Sequence, residues 1–152
     1  MCPVVQLQDK GINICLGTDG AASNNDHDMF AEMKSAALLA KGVSGDASAC
    51  NAKQTIQMAT INGAKALGLG NLIGSIEVGK QADLVAVNLS QLNTQPVYDP
   101  VAQLVYAVNS HQVSHCWIAG ECLMRDYQLS NLDEDAIISK AQFWADKVNK
   151  TQ

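Results

Sequence analysis

The sequence predicts an α/β fold, and three observations support this prediction. Residues 11–17 alternate apolar side chains with small or polar ones, which is typical of a strand, and an amphipathic helix follows soon after. From residue 71 onward, short β-like runs alternate with glycine-containing turns. Residues 133–148 return to helical periodicity.

The first half of the chain predicts one strand followed by a capped helix. A short helix or turn over residues 3–10 leads into the strand. Either Asp26 or Asp28 can cap the helix, because a carboxylate accepts hydrogen bonds from the unpaired N–H groups of the first turn. We expect this helix to run to about Lys41 and to end at Gly42. Its apolar residues at helical spacing, expected to face a core, are Phe30, Met33, Ala37 and Ala40.

A second helix is predicted over residues 51–67, with Gly68 and Gly70 ending it. This segment is apolar most of the way round, so we expect it to be buried. Its apolar positions are Ile56, Met58, Ala59, Ile61, Gly63 and Leu67.

The second half predicts strands, a short helix and a closing helix. Residues 83–89 form a β-branched run typical of a strand. Asp99-Pro100 precedes a short helix over residues 101–108. Two strands over residues 113–118 and 121–124 are predicted to form a hairpin around Ala119-Gly120.

The closing helix is predicted from Asp133 to about Val148, with acidic residues in its first turn and lysines near its end, as the helix dipole favours. Its expected buried stripe is Ile137, Ala141, Trp144 and Val148.

Composition limits the classes of partner. The chain has 152 residues, enough for one domain with a core but fewer than the roughly 250 of a complete (β/α)₈ barrel. Hydrophobic residues make up 47% and charged residues 16%, which is typical of a globular protein. The net charge of −5 argues against a nucleic-acid partner. Apolar runs are short and the N-terminus lacks a signal-peptide pattern, so we expect no membrane association.

The five cysteines are irregularly spaced and contain no Cys-x-x-Cys pair. This pattern favours free thiols and a reducing, cytoplasmic location. A disulfide between Cys116 and Cys122 across the predicted hairpin is the less favoured alternative.

Asp19 is the principal candidate for chemistry. It lies where the first strand ends and a helix is about to begin, which is the end at which β/α barrels keep their active sites. A turn-forming Asp-Gly pair is the alternative explanation. The small residues around it and the neutral Asn24 and Asn25 favour a site, with Asn24 as a weaker substrate-binding candidate.

The histidines predict less. His111 and His115 are four residues apart, as two metal ligands on one helix face would be, but His115 falls in a predicted strand. His27 is expected to be a surface residue.

Two segments resemble the metal-dependent amidohydrolase superfamily: Leu16–Asn25, which reads Leu-Gly-Thr-Asp-Gly-Ala-Ala-Ser-Asn-Asn, and Gly74–Val85, which contains Gly-x-Ile-x-x-Gly-Lys-x-Ala-Asp-Leu-Val. The hairpin Val113–Glu121 matches the same family. The likeness is greatest to the branch that contains the 5-methylthioadenosine/S-adenosylhomocysteine deaminases and the triazine hydrolases. It extends over nearly the whole chain.

The resemblance implies the C-terminal part of a (β/α)₈ TIM barrel, namely its last β/α unit plus a connecting helix, with part of the accompanying β-sandwich and a terminal helix. The implied divisions are residues 1–70 for the end of the barrel, 71–130 for the sandwich segment and 131–152 for the helix. Asp19 matches the last metal ligand of the family, which also relays a proton. The His-x-His pair and the other residues of the family's site do not occur in these 152 residues.

The resemblance therefore implies a hydrolase in which a divalent metal, expected to be zinc, supports deamination of a purine nucleoside. We expect this chain alone to bind no metal and to be inactive, because a catalytic zinc site takes about three protein ligands. A triazine-type chlorohydrolase and a silent structural or interaction module are the alternatives. We also expect a homo-oligomer that associates through segment 11–17 or helix 28–41, since uncovered apolar surface favours self-association.

Overall fold

The computed structural model describes residues 2–150, which form a helical region followed by a four-stranded antiparallel sheet and a closing helix. The helices are α1 (Val4–Asp9), α2 (Met29–Ser44), α3 (Ala52–Ala59), α4 (Ile61–Ala66), α5 (Pro100–Tyr106) and α6 (Glu134–Asn149). The strands are β1 (Leu84–Val87), β2 (Val113–Ile118), β3 (Glu121–Arg125) and β4 (Gln128–Leu129). Two short 3₁₀ helices cover Leu92–Thr94 and Ser110–Gln112.

The core lies where α2, α3 and α5 meet. Met33 and Ala37 of α2 pack with Val105 of α5, and Ala40 packs with Cys50 and Met58. The predicted inward face of α2 is therefore confirmed, with Phe30 half-buried beside the same cluster.

Asp28, rather than Asp26, caps α2. Its Oδ1 accepts hydrogen bonds from the backbone N–H groups of Phe30 and Ala31, at 2.8 and 3.3 Å. The predicted end at Gly42 is wrong, because the helix continues to Ser44. Gly45 ends it instead, adopting a left-handed conformation (φ 70°) while its N–H reaches the carbonyl of Lys41.

Residues 12–17 form neither a helix nor a strand, so the predicted strand over residues 11–17 is wrong for this chain. A strand requires a neighbouring strand to complete its ladder of hydrogen bonds, and none lies beside this segment among residues 2–150. The segment bonds to helices instead. The N–H of Leu16 donates to the carbonyl of Met58 at 3.0 Å, and Asn62 Nδ2 donates to the carbonyl of Ile14 at 2.9 Å.

The predicted helix over residues 51–67 is two helices, α3 and α4. Thr60 lies between them with φ −129° and ψ −97°, outside the helical region. The break leaves the carbonyl of Met58 available to accept the bond from Leu16. Burial is also only partial, because Met58 is buried whereas Leu67 is 74% exposed. The predicted stop at Gly68 is confirmed by its left-handed backbone.

The sheet has the order β1-β2-β3-β4. Its β2–β3 hairpin turns at Ala119 and Gly120, both with positive φ (51° and 85°), as a type I′ turn requires. The predicted hairpin, the strand around residues 83–89 and the helix after Asp99-Pro100 are all confirmed. The β1 strand has one free edge among the residues described here.

The closing helix α6 begins after its N-cap, Asp133, as predicted. Its predicted buried stripe is wrong, because every residue of the helix is exposed. Trp144 is 50% exposed, and its ring contacts are with helix neighbours, Phe143 at a centroid distance of 5.6 Å and the Lys147 Nζ at 4.8 Å from the ring centroid. The apolar periodicity is present, but no other element of the described chain packs against it.

Within residues 2–150, no helix combines the length and the apolar character needed to span a membrane. The chain therefore has an α/β architecture. Residues 12–17 are hydrogen-bonded to the helical region, and the sheet follows that region along the chain.

Candidate active site

Asp19 is exposed and lies in the loop between residues 12–17 and α2. Its backbone is left-handed (φ 61°), a conformation that Asp tolerates better than most residues other than glycine. One carboxylate oxygen, Oδ1, accepts a hydrogen bond from the N–H of Gly20 at 2.7 Å. Among residues 2–150, Oδ2 accepts none, so one oxygen is held while the other has no hydrogen-bond donor there.

The turn is built by residues on both sides of Asp19. The Thr18 hydroxyl donates to the carbonyl of Asp19 at 3.1 Å. The carbonyl of Gly20 accepts hydrogen bonds from the N–H groups of Ser23 and Asn24, both at 2.9 Å. The chain therefore closes tightly after Asp19 before it enters α2.

Asn24 is half-buried, and both the oxygen and the nitrogen of its side-chain amide form hydrogen bonds. Its Oδ1 accepts from the N–H of Asp26 at 3.2 Å, and its Nδ2 donates to Glu32 Oε1 at 2.7 Å. Its role as a substrate-binding residue stays a prediction. Glu32, on the first turn of α2, is thus bonded to the loop that carries Asp19, although the sequence indicates only an ordinary acidic residue near a helix N-terminus.

Asp28 ties the end of this loop to a distant part of the chain. Its Oδ2 accepts a hydrogen bond from the N–H of Ser110 at 3.1 Å, across 82 residues. Burial raises the pKa of Asp28, but the hydrogen bonds from Ser110, Phe30 and Ala31 together outweigh burial and hold its pKa below the usual value. The sequence predicts the cap but not the contact with Ser110.

The three histidines form no hydrogen bond or ion pair with Asp19 among residues 2–150. His115 is in β2, where it stacks on Trp117 at 5.4 Å and lies 3.7 Å from Asp126 Oδ1. His111 is exposed in a 3₁₀ helix, and His27 is exposed as predicted. His111 and His115 therefore do not lie on one face of a helix. Across residues 2–150, no group of three or more His, Cys, Asp or Glu side chains could hold a metal ion.

All five cysteines are free, as favoured by the sequence. The alternative disulfide between Cys116 and Cys122 does not form. In the hairpin, Cys116 lies opposite Met124 and Cys122 lies opposite Trp117.

Comparisons with known proteins agree on one family. The profile described as the amidohydrolase family matches residues 1–123. A relative named 5-methylthioadenosine/S-adenosylhomocysteine deaminase, from Teredinibacter turnerae, is 51% identical over 147 residues, which are 97% of this chain and 33% of the relative.

Solved structures agree as well. The crystal structure of an adenosine deaminase from Xanthomonas campestris with bound zinc superposes with a TM-score of 0.96 and 49% identity, covering 99% of this chain and 34% of that one. The atrazine chlorohydrolase from Arthrobacter aurescens, complexed with zinc, superposes with a TM-score of 0.85 and 25% identity, covering 93% of this chain and 32% of that one. The chain therefore spans about one third of the length of the proteins it matches.

Proposed function

Because this chain belongs to the amidohydrolase family, we propose that it is the C-terminal third of a metal-dependent enzyme that deaminates an aminated purine nucleoside of the 5-methylthioadenosine or S-adenosylhomocysteine type. The observation that carries this proposal is the geometry of Asp19. Asp19 is exposed in the turn that precedes α2, one of its carboxylate oxygens is fixed by Gly20, and the other accepts no hydrogen bond among residues 2–150. The 51% identity with a relative named as such a deaminase supports the substrate class.

The donor set tests whether a metal fits. A catalytic zinc site takes about three protein ligands and a water molecule. Residues 2–150 offer one suitable carboxylate, Asp19, and no cluster that would complete the set. Asp19 fits the part of one anionic ligand, and we propose that the remaining ligands come from the other two thirds of a complete enzyme. We further propose that residues 1–70 belong to its barrel, 71–130 to its sandwich and 131–152 to its terminal helix.

In this proposal Asp19 does two things. Asp19 would hold the metal through its carboxylate, of which Oδ1 is already fixed by the N–H of Gly20. The carboxylate also accepts a proton from the attacking water and passes it to the departing amine, so that water and the amino compound yield a carbonyl and ammonia. When bound, the metal supplies Lewis acidity and makes water acidic enough to react near neutral pH.

A triazine-type chlorohydrolase is the second candidate, and the superposition on an atrazine chlorohydrolase supports it. Its 25% identity is about half that of the deaminase relative, which favours the deaminase. The two candidates differ in the leaving group, ammonia or chloride, so the released product distinguishes them.

A chimera tests the proposal. The chain would replace the corresponding 147-residue segment of the Teredinibacter turnerae relative, and purified protein would be assayed for ammonia and chloride release and for zinc content. We expect ammonia release from methylthioadenosine and at least a 10³-fold loss, an order-of-magnitude figure, in Asp19→Asn, since an amide is a poor metal ligand and cannot carry the proton. Asn tolerates the left-handed backbone, so the fold should survive.

Asp26→Asn is the matched control, because Asp26 is an exposed aspartate in the same loop. It should leave turnover near that of the parent chimera. Near-normal turnover in Asp19→Asn would show that Asp19 is only a turn residue. The chain alone, with added zinc, should release no ammonia above background.

A further inference from the structure

The loop that carries Asp19 is connected to helix α2 through a continuous series of hydrogen bonds. Glu32 Oε1 accepts from Asn24 Nδ2 at 2.7 Å, and the backbone N–H of Asn24 donates to the carbonyl of Gly20 at 2.9 Å. The N–H of Gly20 in turn donates to Asp19 Oδ1 at 2.7 Å. Three links therefore join a helix residue to the carboxylate that the proposed function uses.

Glu32 is placed for this contact rather than for an ion pair. No Lys, Arg or His nitrogen among residues 2–150 forms a salt bridge with it. It is half-buried at the wall of a cavity of about 320 Å³, whose other lining residues include Ile14, Leu16 and Met58. The amide of Asn24 is the one donor to its carboxylate in the described part of the chain.

The chemistry of this contact makes it a strong restraint. A hydrogen bond from a neutral amide to an ionised carboxylate is shorter and about twice as strong as one between neutral groups. The carbonyl and the N–H of Gly20 belong to consecutive planar peptide groups, so holding the first through Asn24 limits the rotation of the second. Asp19 needs such support, because its left-handed backbone persists only where the surroundings fix it.

We propose that Glu32 is a positioning residue, which fixes the carboxylate of Asp19 through Asn24 and Gly20. Asn24 then holds the loop in place, because its side chain donates to Glu32 and accepts from the N–H of Asp26. This proposal rests on the proposed function only in that Asp19 is the working carboxylate.

Amide hydrogen exchange on this chain tests the series without metal or turnover. The amide of Gly20 should exchange about tenfold faster or more in Glu32→Ala and in Asn24→Ala, because each removes a hydrogen bond to a charged group. Glu32→Gln should restore part of the protection, since its Oε1 can still accept from Asn24 but forms a weaker, neutral hydrogen bond. Asn25→Ala, an exposed asparagine one residue further along, is the matched control and should leave the rate of Gly20 unchanged.

The double variant Asn24→Ala/Glu32→Ala separates this role from a general loss of stability. If the two residues act in one series, the double variant should exchange Gly20 no faster than either single variant. Additive effects, an unchanged rate in Glu32→Ala, or a Gln variant as poor as Ala would each overturn the proposal.

The same variants in the chimera provide the link to turnover. Glu32→Ala should lower kcat more than it raises KM, and Glu32→Gln should recover part of the lost kcat. If the chimera is inactive while Gly20 responds as expected, the proposed function fails and the positioning role stands. If Asp19→Asn abolishes turnover while Gly20 does not respond, the reverse holds.

Discussion

Replacing Asp28 by alanine should destabilise the chain more than any other change in the loop before α2. The substitution removes an N-cap, which costs about 0.5–2 kcal/mol. It also removes the carboxylate that accepts the N–H of Ser110, a bond to a charged group worth about 1.5–3 kcal/mol. Because Ser110 is exposed, water replaces part of that bond, so we expect a total loss of about 2–4 kcal/mol.

Asparagine separates the two contributions. It caps helices about as well as aspartate, so Asp28→Asn should retain the bonds to Phe30 and Ala31. If its Oδ1 stays on the cap, its amide faces the N–H of Ser110 and cannot accept from it. We therefore expect a loss of about 1–2 kcal/mol for Asn, roughly half of that for Ala.

Urea unfolding followed by circular dichroism measures these differences. With a slope of about 2 kcal/mol per M, Asp28→Ala should lower the midpoint by about 1–2 M. Asp26→Ala is the control, because Asp26 is exposed and its side chain accepts no cap bond, and it should stay within about 0.5 kcal/mol of the parent. A midpoint for Asp26→Ala as low as that for Asp28→Ala would refute the assignment of the cap and its contact with Ser110.

Three further outcomes are expected. The pKa of Asp28 is lowered in the folded chain, so its carboxylate contributes to stability above the unfolded pKa of about 3.9, and this contribution is lost as pH falls through the folded pKa. The difference in urea midpoint between the parent and Asp28→Asn should therefore shrink below about pH 4. Gly74→Ala should lower the free energy of unfolding, measured in urea, by about 2–5 kcal/mol, because the new Cβ would lie 2.7 Å from that of Ala64. Gly79→Ala should cost only about 1–2 kcal/mol, because Gly79 has a similar φ but open space around it. Sedimentation at micromolar concentration should show self-association, and Leu38→Glu on the exposed face of α2 should weaken it.

For each of these three expectations, one result would contradict it. A constant difference between parent and Asp28→Asn from pH 7 to pH 3 would contradict the lowered pKa. Equal losses for the two glycine variants would show that strain, rather than the contact with Ala64, decides the cost. A well-folded monomer would contradict the expected association, in which Met33 takes no part because it is buried within the chain itself.

The local features of the fold could be predicted from the sequence because they depend on neighbouring residues. The cap at Asp28, the hairpin turn at Ala119-Gly120 and the acidic start of α6 each follow from hydrogen bonds within a few residues. The end of α2 shows the limit of this reasoning. Gly42 and Gly45 are both able to end a helix, and the chain uses the second.

Features that depend on distant residues could not be predicted in this way. The alternation in residues 11–17 indicates a strand, but a strand forms only where a neighbour supplies the ladder. The stripe of α6 likewise predicts burial, but periodicity does not specify what covers it. Asp19 could be proposed as a site residue from its surroundings in the chain, whereas the role proposed for Glu32 depends on a contact made when the loop folds back onto α2.

The exposure of α6 has a consequence for proteolysis. A helix of 16 residues in which every residue is exposed gains little stability from packing, so it opens often compared with the core around Met33 and Val105. Lys140 and Lys147 lie within it, and trypsin cleaves such sites when the helix opens. Any surface that covers the stripe of Ile137 and Trp144 would slow that cleavage. The rate at which trypsin removes the end of the chain therefore measures how much of α6 is covered, and it does so with no need for a substrate or a metal.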